Sequence, residues 1–232
     1  MAVDREAVVP EAVVREAGDL GAAMAVAEAF KPRDRVQATH RRRMIDFMAR
    51  HPDALHRSCE VGHVTASAWV VSDDATKGLV LLHRKIGRWL QPGGHADGER
   101  ALAGVALREA TEETGIDGLE VWTEPIDIDI HLVVSRLVDS HLAVSDLAVS
   151  DLVVGHQAVG QGHAEPDHLH FDVRYLVRAP RHAVPSGNHE SEQLRWIGRH
   201  QLDEPRLNLD ASTRRLARYG FELAAAVALR RQ

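Results

Sequence analysis

Apolar residues recur at helical spacing early in the chain. Leu20, Ala23, Met24, Ala27 and Phe30 share one side of a segment that Asp19 is placed to cap and Pro32 stops. A second helical period follows, with Asp34 as cap, Val36, Met44, Ile45, Phe47 and Met48 as its apolar positions, and His51-Pro52 as its end. Residues 1–58 therefore read as a helical N-terminal extension. From Gly62 the texture changes: GHVTASAWVVS is rich in β-branched and apolar residues, Asp73-Asp74 supplies a turn, and KGLVLLHRK reads as the hairpin partner. Beyond RWLQPGGH the pattern returns to a helix, from about Glu99 to Thr114, with Gly115 as its C-cap. Strands are predicted over 120–134, broken at Pro125, over 168–177 and over 193–198, and a last helix runs from Asp210 with Leu216, Phe221, Leu223 and Val227 inward.

One stretch has neither period. Between the strands near Val134 and His168 the chain reads SRLVD, SHLAV, SDLAV, SDLVV and GHQAV, a repeat of five residues. Its texture resembles that of pentapeptide-repeat proteins, but five units make little more than one coil, with nothing to stack on. We read about 135–163 as an expanded connecting loop, which costs a fold little extra closure entropy.

Composition narrows the class. With 232 residues, 44% apolar and 27% charged, the chain can bury a real core, and its ten aromatic residues leave the packing mainly to aliphatic ones. A net charge of −6 argues against a broad nucleic-acid or anionic-membrane footprint, since both need a positive face. Only Lys31, Lys77 and Lys85 among the 28 basic residues are lysine, and the Arg41-Arg42-Arg43 patch reads as a solvated helix face. The single cysteine, Cys59, excludes an internal disulfide framework and fits a reducing compartment. The longest apolar run, Leu223 to Leu229, is far short of a membrane span, and the acidic N-terminus does not read as a signal peptide, so the expected location is the cytoplasm.

The chemistry is concentrated between Gly93 and Ile116. On the predicted helix, Glu109, Glu112 and Glu113 fall within a sector of about 100°, beside an apolar stripe of Leu102, Ala103, Ala106, Leu107 and Ala110. Like charges so crowded call for a cation, and carboxylate oxygens suit Mg²⁺ or Mn²⁺. Gly94, Arg108, Glu109, Ala110, Glu112, Glu113, Gly115 and Ile116 stand at the spacing of a Gly, five residues, a Glu, seven residues, then Arg-Glu-apolar-x-Glu-Glu-x-Gly-apolar. This segment resembles the signature of the Nudix hydrolase family. The early Glu of that signature falls on Arg100, with Glu99 one residue before it: either Glu99 takes over through an adjustment of the loop, or that acid is absent.

The resemblance covers roughly 59–232 and implies an α/β/α sandwich around a mixed sheet, with Mg²⁺-dependent hydrolysis of a diphosphate linked to another moiety, commonly a nucleoside. It implies Glu109, Glu112 and Glu113 as metal ligands with the Gly94 carbonyl, and Arg108 as the holder of a glutamate. The general base often lies outside the signature in this family, which singles out Glu190, ahead of Glu192 or Glu109 itself. Arg84, Arg88, Trp89 and His95, around the Pro-Gly-Gly turn, are the candidates for substrate contact, Trp89 by stacking on a base and the others by touching phosphate. His168 and His170 alternate on one strand with His163 nearby, a weaker hint of a nitrogen-rich metal site. The second functional reading is a non-catalytic sensor that binds a nucleotide metabolite. An isoprenyl diphosphate isomerase is set aside, because the turn Gln91-Pro92-Gly93-Gly94-His95 lacks the cysteine it needs. Expected partners are a small nucleotide-type substrate and no nucleic-acid polymer or membrane, with a homodimer left open.

Overall fold

In a computed structural model of the chain, the strand β1 (Gly62–Val71) is buried along its whole length, which requires cover on both faces of the sheet it belongs to. The structure describes residues 20–84, 87–134, 166–187 and 191–229, so the pentad repeat, Asp19 and Glu190 lie outside the described residues. Val64, Ala66, Ala68 and Val70 point into one apolar cluster, while Trp69 and Val71 point into another. Strand alternation thus splits the core into two layers.

The sheet is mixed. β1 pairs in parallel with β7 (His168–Arg178) from Gly62 opposite Leu169 to Val71 opposite Arg178. β2 (Lys77–His83) meets β1 antiparallel at Val70–Leu79 and Val71–Gly78, and its long partner is β8 (Ser191–Gly198). The expected hairpin is therefore short, and the remaining flank of β1 is taken by β4 (Gly93–His95), where Thr65 faces His95 and Ser67 faces Gly93. β3 (Arg88–Leu90) borders β2, and β5 (Glu120–Val121) and β6 (Asp127–Val133) both run antiparallel to β7. Pro125 sits between β5 and β6, as the interruption of the strand pattern predicts.

Three helices cover one face. α1 (Leu20–Ala29) and α2 (Arg35–Arg50) bring Ala23, Ala27, Met44, Phe47 and Met48 into the same cluster as Val64, Ile128 and Phe171, to which α3 (Leu102–Thr114) adds Leu102, Val105, Ala106 and Ala110. Phe47 stacks on Phe171 with ring centroids 3.9 Å apart. Asp34 caps α2, its Oδ1 accepting from the Gln37 N–H at 2.8 Å, and Gly115 ends α3 at φ +62°, a left-handed position that glycine takes without strain. The opposite face is covered by α4 (Ala211–Leu229), whose Leu216, Ala217, Phe221 and Ala224 pack with Trp69, Leu176 and Ile197. Among the described residues, no helix is long and apolar enough to cross a membrane.

On the α4 side, the layer turns from apolar to polar along the strands. Arg174 is 2% exposed, and its guanidinium meets Asp172 at 2.7 Å, Asp129 at 3.0 Å and Asp127 at 3.3 Å. Arg215 from α4 adds bonds to Asp127 and Asp129 at 2.9 and 2.8 Å, Gln37 from α2 donates to Asp127 at 2.9 Å, and Ser67 and Thr65 donate to Asp172. Burial works against ionisation of Asp129, yet the charge of Arg174 and hydrogen bonds from His131 and His40 hold its carboxyl well below its ordinary 3.8. A carboxylate depressed in this way lends stability that is complete above the unfolded-state value and is lost as pH falls through the folded one. In urea titrations, the stability gap between wild type and Asp129→Asn is thus expected to stay level from about pH 7 to about pH 4 and to shrink below that. A gap that widens with acid contradicts this account.

Candidate active site

The glycines of the Gln91-Pro92-Gly93-Gly94-His95 turn are there because two surfaces approach too closely for a side chain. A Cβ on Gly93 would overlap Ser67 of β1, and one on Gly94 would overlap the carboxylate of Glu109. The turn is tied to α3 through the Gly93 N–H, which donates to Glu113 Oε2 at 2.9 Å. Next comes a tight reversal. Asp97 and Gly98 adopt φ of +47° and +87°, and the Glu99 N–H returns to the Ala96 carbonyl at 2.8 Å. Arg57 anchors this reversal with a two-pronged bond to Asp97, both arms 2.8 Å, and those bonds hold the Asp97 carboxyl below its ordinary range.

The reversal delays α3, which begins at Leu102 rather than Glu99, and leaves Glu99 facing the helix from the loop. Arg108 sits at the centre. It bonds Glu109, lies 3.4 Å from Glu99 and 3.8 Å from Glu112, and reaches the His95 carbonyl at 3.5 Å. Glu99 is thus the acid that faces Arg108, one residue before the position the spacing points to, and the loop between it and the Gly93-Gly94 turn carries the positive-φ pair Asp97-Gly98. Three carboxylates, of Glu99, Glu109 and Glu112, stand within 4 Å of this one guanidinium, and the fourth, of Glu113, accepts from the Gly93 N–H instead. The excess of negative oxygen at the edge of a half-buried loop suits a hard divalent cation. Glu113 is 5% exposed and Glu109 half-buried against the Gly93-Gly94 turn, whereas the Glu112 side chain is 59% exposed.

The other expected site residues are more dispersed. Glu190 lies outside the described residues, as does the side chain of Glu192. Arg84 is exposed just after β2, Arg88 and Trp89 lie on β3, and Trp89 packs against the apolar cluster under α4. His95 faces another histidine, its ring 4.8 Å from that of His63; burial, and then the charge of Arg57, push its pKa down to about 4. Sequence reasoning named Glu99 as one of two alternatives for the early acid, and missed the polar stripe of Thr65, Ser67, Asp172 and Arg174 altogether. The alternation of Thr65 and Ser67 within an otherwise apolar strand was its one visible signal.

Two groups of three possible metal ligands have donor atoms within 4.8 Å of one another among the described residues: His63, His168 and His170, and His51, Asp53 and Cys59. Comparison with known proteins gives one family match, to the NUDIX domain over residues 62–219. Among solved structures, an Ap4A hydrolase from C. elegans is similar at 16% identity and TM-score 0.45, covering 71% of this chain and 97% of that one. The dihydroneopterin triphosphate pyrophosphohydrolase of E. coli is similar at 16% identity and TM-score 0.45, covering 66% of this chain and 91% of that one. An ADP-ribose pyrophosphatase from Streptococcus suis gives 18% identity and TM-score 0.41, with 69% and 90% covered. No curated protein matches the chain.

Proposed function

Because the chain belongs to the Nudix family, we propose that it is a Mg²⁺-dependent pyrophosphohydrolase that cleaves the diphosphate linkage of a nucleoside diphosphate derivative. The observation that carries this reading is the set of glutamates on α3 closed over the Gly93-Gly94 turn, with Arg108 between them. Glu109, Glu112 and Glu113, with the Gly94 carbonyl, would hold the ion. When bound, it supplies neutralisation of the diphosphate charge that otherwise repels a nucleophile, and acidifies water. The chain's own residues do the positioning. Arg108 fixes the rotamer of Glu109 through its paired bond, Glu99 braces Arg108 from the far side, and Glu113 locks the turn by accepting from Gly93. A carboxylate then takes the proton of the attacking water; Glu190 is our first candidate and Glu109 the second. Mn²⁺ would serve the same oxygen donors.

The test is a panel of dinucleoside polyphosphates, nucleotide sugars and nucleoside triphosphates incubated with Mg²⁺, with release of phosphorylated product followed by a coupled phosphatase. Turnover of at least one class supports the proposal; no turnover together with no divalent-ion binding by calorimetry overturns it. Tight nucleotide binding without turnover favours the sensor reading instead. On the active substrate, Glu99→Gln is expected to lower kcat about tenfold, the usual scale for a residue that orients a ligand, while Arg100→Ala stays within a few-fold of wild type. The reverse order of effects would return the early acid's role to position 100.

A further inference from the structure

A second set of donors, distinct from the α3 glutamates, is assembled by strand register. The parallel pairing of β1 with β7 sets His63 opposite His170, two residues from His168, and the pairing of β4 with β1 brings His95 opposite Thr65 on the same side. Ring centroids are 4.8 Å apart for His63 and His95, 4.7 Å for His63 and His168, 5.0 Å for His63 and His170, 4.9 Å for His95 and His170, and 5.0 Å for His168 and His170. Four imidazoles on one tetrahedral ion, with metal–nitrogen bonds of about 2.0–2.1 Å, stand with their centroids roughly 5 Å apart. Two nitrogens of such a site lie about 3.3 Å apart, and His168 Nε2 and His170 Nε2 are separated by 3.2 Å.

The tautomer of His168 points the same way. Its Nδ1 lies 2.8 Å from the Pro166 carbonyl, which can only accept, so Nδ1 carries the proton and Nε2 presents a lone pair toward His170. A ring whose far nitrogen donates to a backbone carbonyl is oriented as metal-binding histidines are. His95 Nε2 is buried and has no hydrogen-bond partner among the described residues. His131, whose ring is 5.3 Å from that of His170, turns its Nδ1 to Asp129 and belongs to the carboxylate network.

We propose that His63, His168 and His170, with His95 at the fourth position, bind a borderline divalent ion of the Zn²⁺ class, at a centre separate from the carboxylate site on α3. Nitrogen donors select such an ion over Mg²⁺, which demands oxygen. The ion would join the starts of β1 and β7, 106 residues apart in sequence, to the turn that carries Gly94.

The test uses untagged full-length protein stripped with chelator and then held in excess Mg²⁺, so that oxygen sites are filled. Titration with Co²⁺ is expected to give the intense visible absorption of a four-coordinate nitrogen site, saturating at one equivalent and bleached by Zn²⁺. His168→Ala and His170→Ala should each weaken Zn²⁺ binding by roughly a hundredfold or more, and Glu112→Gln should leave it unchanged. If the alanine variants fail to fold, His63→Gln and the wild-type titration decide. The proposal is overturned by wild-type protein that takes up no Co²⁺ or Zn²⁺ in excess Mg²⁺. It is equally overturned by binding that survives the joint replacement of His168 and His170. Because Mg²⁺-dependent hydrolysis is scored separately, loss of this site and failure of the proposed activity are distinguishable.

Discussion

Glu112→Gln is expected to lower the rate of the proposed diphosphate hydrolysis by roughly a thousandfold, about 4 kcal/mol in the barrier, and to leave the melting temperature where it was. The reasoning joins exposure to chemistry. The Glu112 side chain is 59% exposed and the ion pair it makes among the described residues, with Arg108, spans 3.8 Å, so glutamine there costs the fold little. Any loss therefore reports on the charge that an ion needs. Glu113→Gln is the less clean experiment, because its carboxylate is 5% exposed and fastens Gly93, so stability and chemistry change together. Steady-state rates at saturating Mg²⁺, with a thermal melt of the same preparation, check the expectation. A Glu112→Gln enzyme within a few-fold of wild type would remove that residue from the ion site.

Arg174→Met is expected to cost about 3–5 kcal/mol, enough to leave a domain of ordinary stability marginal. The loss comes from what remains rather than from what is removed. Asp127, Asp129 and Asp172 are 0%, 3% and 2% exposed, and without Arg174 they lose the one cation among the described residues that touches all three, leaving Arg215 on Asp127 and Asp129 and the Ser67 and Thr65 hydroxyls on Asp172. Urea unfolding measures the effect. The same experiment at lower pH supplies an internal check, because protonating the stranded aspartates should return part of the loss, and Asp129→Asn combined with Arg174→Met should recover stability at neutral pH. A single-variant loss below about 1 kcal/mol would mean that water reaches this layer and screens it.

What could be read from the sequence was whatever depends on near neighbours along the chain. Asp34, Pro125 and Gly115 act within a turn of their own position, and each marks a boundary where the structure has one. The α3 stripe and its three glutamates follow from a single helical period. Pairing between distant strands leaves no such trace. Nothing local in GHVTASAWVV says that its full-length partner is His168–Arg178, although that register creates both the Asp172–Ser67 contact and the histidine cluster. Spacing alone left two alternatives for the early acid, Glu99 through an adjusted loop or no acid at all, because identity counting assumes a fixed loop length and cannot see the positive-φ pair Asp97 and Gly98. The aspartates of β6 were visible as the alternation in IDIDIH, but an alternation cannot announce that its polar side will be sealed under a second helix layer.

The hydrogen bond from Gln37 to Asp127, together with Phe47 lying flat on Phe171, separates two boundaries that are easily treated as one. The family match begins at residue 62, yet the helix before it satisfies a carboxylate with no exposure to solvent and covers the ring of Phe171. The boundary of the family match and the boundary of the packed core therefore fall at different residues. A protease that cuts between His51 and Gly62 is expected to strip the sheet of α1 and α2 and leave α3 as its cover on that face.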